Sequence, residues 1–112
     1  KAYKISKRID DDISSVCASF NFQIQNKKIK SIKIAYGGMA TIPKRANKCE
    51  KILLNSLMTD QIIDRAKKAL EKDFKPISDV RASKKYRMEV AKNLLEKCFL
   101  EIKQKKKIRL NT

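Results

Sequence analysis

Histidine and tryptophan are both absent from this 112-residue chain, and cysteine is scarce and widely spaced. The three cysteines, Cys17, Cys49 and Cys98, form no C-x-x-C pair. Because structural zinc sites and iron–sulfur clusters need closely spaced cysteine or histidine ligands, the chain alone cannot build either. An odd number of distant cysteines instead indicates reduced, partly buried thiols in a cytosolic protein.

Long apolar runs are also absent. The longest uncharged apolar run is far shorter than a membrane span, and no signal peptide stands at the start, so we expect a soluble, cytoplasmic protein with no membrane partner. A length of 112 residues fits one domain with a single core and leaves no room for a separate cofactor-binding domain. The start at Lys1, without an initiator methionine, suggests a fragment or a processed product.

Acidic residues are few: 12 aspartates and glutamates stand against 28 lysines and arginines, which gives a net charge of +16. That charge favours an acidic partner, so a small basic nucleic-acid-binding module is one candidate function. However, lysines occur in almost every segment, and the densest cluster, Lys103 to Arg109, belongs to a basic C-terminal tail at 103–112. An aromatic RNA-binding pattern is missing too. A lysine-rich solvated surface is therefore the favoured interpretation.

Alternating apolar residues predict a β-hairpin. From Val16 to Ile24 apolar and more polar residues alternate, and the same period returns from Ile32 to Tyr36, after a polar turn at 26–28. A period of two is typical of half-buried strands, and the short turn indicates that the two strands run antiparallel.

Both glycines of the chain, Gly37 and Gly38, directly follow the second predicted strand. Tandem glycines permit a bulge or a positive-φ bend at a strand end, and they let another segment approach the backbone closely. A phosphate-binding loop is the alternative, but the stretch lacks the spacing of a P-loop or of G-x-G-x-x-G. We expect the glycines to turn the chain from the hairpin into the first helix.

Helical periodicity replaces the strand period after Pro43. The first helix is predicted to begin near Pro43 or Lys44, the second to begin after an N-cap at Thr59 and to end before Pro76, and the third to begin after an N-cap at Ser83. The predicted buried stripes are Ala46, Cys49, Ile52 and Leu53; Ile62, Ile63, Ala66, Leu70 and Phe74; and Val90, Ala91, Leu94, Leu95, Cys98, Phe99 and Ile102. We expect an α+β fold over 1–102, in which a small antiparallel β-sheet of about three strands packs against a three-helix bundle.

Three separated motifs resemble a known family. They are Y-K-I-S-K-R-I-D-D-D-I-S-S-V at 3–16, I-A-Y-G-G-M-A-T-I-P-K-R-A at 34–46, and S-D-V-R-A-S-K-K-Y-R-M-E-V-A-K-N-L-L at 78–95. In content and order they are similar to the C-terminal domain of the FAD-binding small subunit of xanthine dehydrogenase, a CO dehydrogenase flavoprotein C-terminal-like domain of the molybdenum hydroxylases. The resemblance runs from Tyr3 to Leu100, nearly the whole chain.

The resemblance implies one domain of an oxidoreductase. In that family FAD is bound mainly by a preceding domain, and the C-terminal domain lines part of the isoalloxazine region. Electrons pass from the molybdenum cofactor through 2Fe-2S clusters to FAD and then to NAD during purine oxidation. The implied partners are the preceding FAD-binding and iron–sulfur domains, the molybdenum-binding large subunit and NAD. The isolated domain is not expected to be catalytic.

The resemblance also implies three cofactor-binding residues, Lys4, Arg8 and Asp11, on a loop beside the flavin. Asp11 matches a flavin-side position of xanthine dehydrogenases, whereas Asp12 matches an aspartate that is shared more widely and implies a structural role. Ile9 stands where relatives carry a second arginine. A carboxylate beside a flavin disfavours the negative charge that reduction adds, and a lysine or arginine favours it. The alternative is a solvated turn in which one aspartate bonds the backbone.

Two arginines of the third motif, Arg81 and Arg87, are candidate phosphate ligands. Arginine near a helix start more commonly pairs with a carboxylate such as Asp79 or with backbone carbonyls. We therefore predict a structural role for both arginines and assign no catalytic or metal-binding residue.

Overall fold

The computed structural model describes residues 2–11, 16–40, 42–74 and 81–110, with side chains described at 4–11, 16–40, 42–74 and 85–104. The strands of this part of the chain are β1 (Ala2–Asp10), β2 (Cys17–Gln25), β3 (Lys28–Gly37) and β4 (Lys44–Arg45). The helices are α1 (Asn47–Leu53), α2 (Asp60–Asp73) and α3 (Arg81–Leu110). The strands form one antiparallel sheet in the order β1-β2-β3-β4. The predicted α+β fold is confirmed.

The predicted hairpin is formed by β2 and β3, which pair from Cys17 with Gly37 to Gln25 with Lys28. Asn26 and Lys27 make the turn with φ values of 55° and 66°. Two consecutive positive φ values match the twist of the flanking strands, which is why tight hairpins favour such turns.

The first strand was missed, since the segment from Lys4 to Asp11 was predicted to be a loop. The structure pairs β1 with β2 along its whole length, from Ala2 with Gln25 to Asp10 with Cys17. The charged Lys7 falls on the same strand face as Ile5 and Ile9 and hides their alternation. Lys7 is nevertheless accommodated on the helix side of the sheet, because its ammonium group forms an ion pair with Glu101 of α3.

The start of the first helix was also predicted too early. Lys44 and Arg45 pair with Tyr36 and Ala35 as β4, so α1 begins at Asn47 and not near Pro43. The next backbone amide, that of Ala46, donates to the carbonyl of Ile34 at 2.8 Å and continues this pairing. Two residues are too few to show a strand period, which is why the sequence pattern did not reveal β4.

An acidic residue from another helix caps the start of α1. Ala46 occupies the N-cap position and has no side chain that could accept a hydrogen bond. Asp73, at the end of α2, takes this role: its Oδ1 accepts from the amide of Lys48 at 2.8 Å and its Oδ2 from that of Cys49 at 2.9 Å. Lys44 Nζ donates to the Asp73 carbonyl at 2.9 Å. The contact satisfies two amides that a helix start leaves open, and it places negative charge at the positive end of the helix.

The predicted cap of α2 is confirmed, but that of α3 is wrong. Thr59 Oγ1 accepts from the amide of Ile62 at 3.2 Å, and α2 ends at Asp73, before Pro76, which itself lies outside the described residues. α3 begins at Arg81, so Ser83 lies inside the first turn and not at the N-cap. An N-cap residue precedes the first helical residue, whereas two helical residues come before Ser83. The helix continues through 103–110, and the division of the chain at residue 102 stays a prediction.

The core lies between the three helices and one face of the sheet. Every residue of the predicted α3 stripe is buried, as are those of α1 and α2 except Ile52 and Ile62, which are half-buried. Tyr36 stands at the centre: its hydroxyl donates to the carbonyl of Ala91 at 2.7 Å, and its ring meets Phe20 and Phe74 edge to face. Edge-to-face aromatic pairs add stabilisation beyond the area they bury.

Ion pairs join α2 and α3 along their length. Lys103 contacts Asp60 at 3.0 Å, Glu96 contacts Lys67 at 3.1 Å, and Lys92 contacts Glu71 at 3.1 Å. Partners that advance along α2 recede along α3, as expected for two antiparallel helices. Exposed pairs of this kind each contribute only about 0–1 kcal/mol, so they fix helix register more than they stabilise the fold.

The two glycines have a structural role, as predicted, but the chain after them enters β4 and not directly the first helix. Gly38 has a φ of 86°, which bends the chain at the end of β3. A Cβ atom on Gly37 would lie 2.7 Å from the Sγ atom of Cys17 on the paired strand. Gly38 thus supplies backbone freedom, and Gly37 supplies space for a neighbouring side chain.

Removing the Asp73 carboxylate that caps α1 should destabilise the protein. Asp73→Ala leaves the amides of Lys48 and Cys49 without their acceptor, and we expect the free energy of unfolding to fall by about 3 kcal/mol. Urea unfolding followed by circular dichroism measures this change. Asp64→Ala, which removes an exposed aspartate from the same helix, is the matched control and should change it by less than about 0.5 kcal/mol. Equal losses in the two variants would contradict the capping role.

The close approach of Gly37 to Cys17 predicts a specific rescue. Gly37→Ala should lower the free energy of unfolding by about 1–3 kcal/mol, because the new methyl group overlaps the thiol. In a Cys17→Ala background the same change should cost much less, since the overlapping sulfur atom is gone. A double-mutant cycle from urea unfolding gives the coupling energy. A cost that is unchanged in the Cys17→Ala background would show that backbone strain, and not the thiol, excludes alanine.

Candidate functional site

The face of the sheet opposite the helices is polar, and two of the predicted site residues lie on it. Lys4, Ser6, Arg8 and Asp10 alternate along β1, and all four are exposed. Lys4 and Arg8 therefore share one face, four residues apart on an edge strand. Arg8 Nε lies 3.4 Å from Asp10 Oδ1, and the Arg8 side chain is 72% exposed. This pair leaves most of the guanidinium surface open to a partner.

The third predicted residue, Asp11, directly follows β1 and is half-buried. Its backbone amide donates to the carbonyl of Val16 at 2.8 Å, which closes the connection between β1 and β2. Asp11 therefore lies at the end of the strand that carries Lys4 and Arg8, with a backbone fixed by the next strand. Asp12, the predicted structural aspartate, lies outside the described residues.

Ile9, which stands where relatives carry a second arginine, faces the core. Its side chain is 8% exposed and packs in the core, opposite Ala18 of β2. An isoleucine at this position contributes to the helix side of the sheet. The cationic side chains of Lys4 and Arg8 lie on the opposite, exposed face of β1.

The exposed face of β1 is charged and open. Exposed side chains on an edge strand can contact a ligand from one side but cannot enclose it, and Lys4 and Arg8 supply the positive charge that suits an anionic or electron-accepting group. A second wall has to come from another segment.

Arg87 makes the kind of contact that the sequence predicted. Its Nη1 lies 3.4 Å from the carbonyl oxygen of Gly38, so it links α3 to the glycine turn. Asp79 lies outside the described residues, and the side chain of Arg81 is not among those described.

The three cysteines differ in their burial. Cys17 is half-buried, whereas Cys49 and Cys98 are buried. No cluster of three or more potential metal ligands occurs among the described residues. Burial, and secondarily the carboxylates of Asp73 and Glu50, raise the pKa of the Cys49 thiol strongly. No helix in the described part of the chain is long and apolar enough to cross a membrane.

Sequence reasoning missed a second polar arrangement, in which a buried glutamate joins α1 to the sheet. Glu50 Oε2 accepts from the backbone amide of Ile34 at 3.0 Å and from Arg45 Nε at 3.1 Å, and Oε1 accepts from Arg45 Nη2 at 2.6 Å. These bonds raise the pKa of the Arg45 guanidinium. The only local signal was an arginine five residues before a glutamate on an otherwise apolar helix face.

A comparison with protein-family models decides the family. The model of the CO dehydrogenase flavoprotein C-terminal domain matches residues 1–102. The chain belongs to this family. The resemblance that the three sequence motifs indicated is therefore confirmed.

Curated relatives agree with this assignment. The chain is 31% identical over 100 residues to the glyceraldehyde dehydrogenase medium chain of Sulfolobus acidocaldarius, a match that covers 89% of this chain and 36% of the relative. It is 36% identical over 76 residues to xanthine dehydrogenase of Emericella nidulans, which covers 66% of this chain and 6% of that protein. It is 24% identical over 99 residues to the xanthine dehydrogenase FAD-binding subunit of Escherichia coli O157:H7, covering 88% and 34%. The chain thus spans about a third of the subunit-sized relatives.

Solved structures share the fold. Quinoline 2-oxidoreductase from Pseudomonas putida 86 superposes with a TM-score of 0.73 at 16% identity, over 88% of this chain and 36% of that one. CO dehydrogenase from Oligotropha carboxidovorans superposes with a TM-score of 0.68 at 21% identity, over 86% and 35%. At these identities the likeness establishes the fold alone.

Thiol reactivity should follow the burial of the three cysteines. At pH 8 a disulfide reagent should modify Cys17 in the folded protein and all three thiols after denaturation, because Cys49 and Cys98 are enclosed and burial keeps the Cys49 thiol neutral. Cys17→Ala should abolish the fast native reaction. Rapid native modification of Cys49 or Cys98, located by peptide mass spectrometry, would contradict the structure.

The raised pKa of Cys49 also predicts a loss of stability at alkaline pH. Its folded-state pKa lies above the unfolded value, so the thiol contributes stability that is fully present below the unfolded pKa of about 8.5 and declines as the pH rises above it. Cys49→Ala, compared with wild type in urea unfolding from pH 7 to pH 10, should flatten this decline. Parallel pH profiles for the two proteins would contradict it.

Proposed function

We propose that this chain is the C-terminal domain of the FAD-containing part of a xanthine dehydrogenase-type molybdenum hydroxylase. The observation that carries the proposal is the family match over residues 1–102, together with relatives named as a xanthine dehydrogenase and its FAD-binding subunit. FAD, when bound, would supply the electron transfer from iron–sulfur clusters to NAD. The domain's own task is to line the isoalloxazine region and set the charge around it.

The open face of β1 supports this division of labour. Lys4 and Arg8 present two cations on an exposed edge strand, and Asp11 adds a carboxylate where that strand ends. A preceding FAD-binding domain that packs against this strand would exclude water from the three side chains. Their charges would then act through a lower dielectric and have larger effects on the cofactor.

The partners of the complete enzyme follow from the same proposal. They are the preceding FAD-binding domain, a domain with 2Fe-2S clusters, a large subunit with the molybdenum cofactor, and NAD as electron acceptor in purine oxidation. The enzyme would act in the cytoplasm. The isolated domain would catalyse nothing, because β1 would form only one wall of the cofactor site.

The nucleic-acid alternative rests on charge alone. Six carboxylates of the described residues form ion pairs with lysines or arginines, and the remaining cations are spread over sheet, helices and hairpin turn. Such a surface predicts weak binding that salt abolishes, without sequence preference. These dispersed cations do not form a helix or strand face that could contact bases in a nucleic-acid groove.

Charge changes in the complete enzyme test the proposed flavin-side role. Asp11→Asn removes a negative charge, so the flavin potential should rise, by on the order of 20 mV for an interaction of about 1 kcal/mol, and reduction of NAD should slow. Lys4→Gln and Arg8→Gln each remove a positive charge and should lower the potential. Spectroelectrochemistry measures the potential, and stopped-flow absorbance separates NAD reduction from purine oxidation, which should be spared.

Opposite signs distinguish electrostatics from structural damage, because a merely disrupted domain would not raise the potential in one variant and lower it in another. Asp64→Asn, an exposed change on α2, serves as the control and should leave the potential at the wild-type value. If the flavin potential stays at the wild-type value in Asp11→Asn, Lys4→Gln and Arg8→Gln, these three side chains belong to the solvated surface and not to the flavin site.

A further inference from the structure

A groove with both polar and apolar lining, the latter from Ile32 and Leu54, lies at the edge of the fold away from β1. It has a volume of about 510 Å³ and runs between β3, β4 and α1. Its polar lining consists of Lys30, Ser31, Arg45, Asn47, Glu50 and Lys51. Since β1 and β4 are opposite edge strands of the sheet, this groove is separate from the surface that carries Lys4 and Arg8. Its size falls in the range of small-molecule sites.

Arg45 is held in a fixed orientation at this groove. Both Glu50 oxygens accept from it, and Glu50 is itself fixed by the amide of Ile34 and by its position on α1. The Glu50 side chain is 10% exposed, whereas that of Arg45 is 50% exposed. Two of the five N–H bonds of the guanidinium point to Glu50, which leaves three for another acceptor. A guanidinium oriented in advance loses less side-chain entropy when it binds an oxyanion.

The charge of the groove suits a doubly charged anion. Lys30, Arg45 and Lys51 stand against the single carboxylate of Glu50, which leaves a surplus of two positive charges. Ser31 and Asn47 add neutral hydrogen-bond donors. The first-turn amides of α1 take no part, because those of Lys48 and Cys49 are bonded to Asp73. Recognition would therefore come from side chains, with Arg45 as the directional contact.

We propose that this groove binds the phosphate group of a small phosphorylated ligand. The Arg45 fork contacts two phosphate oxygens, and Lys30 and Lys51 contribute point charges from either side. Glu50 acts as a positioning residue that holds Arg45 and does not touch the ligand. The proposal does not depend on the flavin role of β1, because it uses other residues at the other edge of the sheet.

Titration of the 112-residue chain with pyrophosphate tests the proposal. Amide chemical shifts are followed by NMR at constant ionic strength, with potassium chloride as the balancing salt. We expect saturable binding, with the largest shifts at 30–32, 45–47 and 50–51. Lys51→Gln and Arg45→Lys should each raise the Kd about five- to tenfold, the first by removing a charge and the second by replacing the fork with a point charge. Inorganic phosphate should bind at the same residues.

Two controls decide between a site and general attraction. Lys68→Gln makes the same charge change on an exposed position of α2 and should alter the Kd by less than twofold, and acetate at matched ionic strength should not produce the same shifts. Circular dichroism checks that each variant is folded. If Arg45→Lys does not fold, the Kd of Lys51→Gln alone tests the proposal. Equal weakening by Lys51→Gln and Lys68→Gln, shifts spread over the whole surface, or the absence of saturation would overturn the proposal.

Discussion

The start of α1 depends on a carboxylate that belongs to another helix. Asp73 accepts hydrogen bonds from two α1 amides, and its carbonyl accepts from Lys44 of β4. One residue thus joins the end of α2, the start of α1 and the last strand of the sheet. Without it α1 would have no cap, since Ala46 cannot provide one. The position of Glu50, one turn into α1, follows from this contact, and the orientation of Arg45 follows from Glu50.

The scarce acidic residues have internal roles that the abundant lysines do not have. Asp73 and Glu50 are buried, and each is satisfied by backbone amides, Glu50 also by a guanidinium. A buried carboxylate is costly unless such partners offset its loss of hydration. Other carboxylates pair across α2 and α3 or join α3 to β1. Several acidic residues thus join elements of the fold, although the chain has only 12 of them against 28 lysines and arginines.

The sequence predicted those features of the fold that depend on residues close together in the chain. The β2–β3 hairpin, the Thr59 cap and the long apolar stripe of α3 each depend on residues a few positions apart, and the structure confirms them. β1 was missed because Lys7 takes an inward position that only a distant glutamate makes acceptable. The cap from Asp73 and the bond from Glu50 to Ile34 join residues 24 and 16 positions apart, for which no local signal exists. Lys4, Arg8 and Asp11 could be proposed from the family motif, but the motif did not show that two of them share one face of a strand.

The edge position of β1 has a consequence for the behaviour of the protein in solution. A nine-residue edge strand exposes backbone donors and acceptors along one side and invites pairing with the same strand of another molecule. On its exposed face the cations Lys4 and Arg8 outnumber the single carboxylate of Asp10, so two such edges would meet with like net charge. Two of the residues proposed to line a cofactor site, Lys4 and Arg8, would thus also disfavour pairing between copies of the chain. Evolution toward a more apolar β1 would have to sacrifice colloidal stability unless another domain covered the edge.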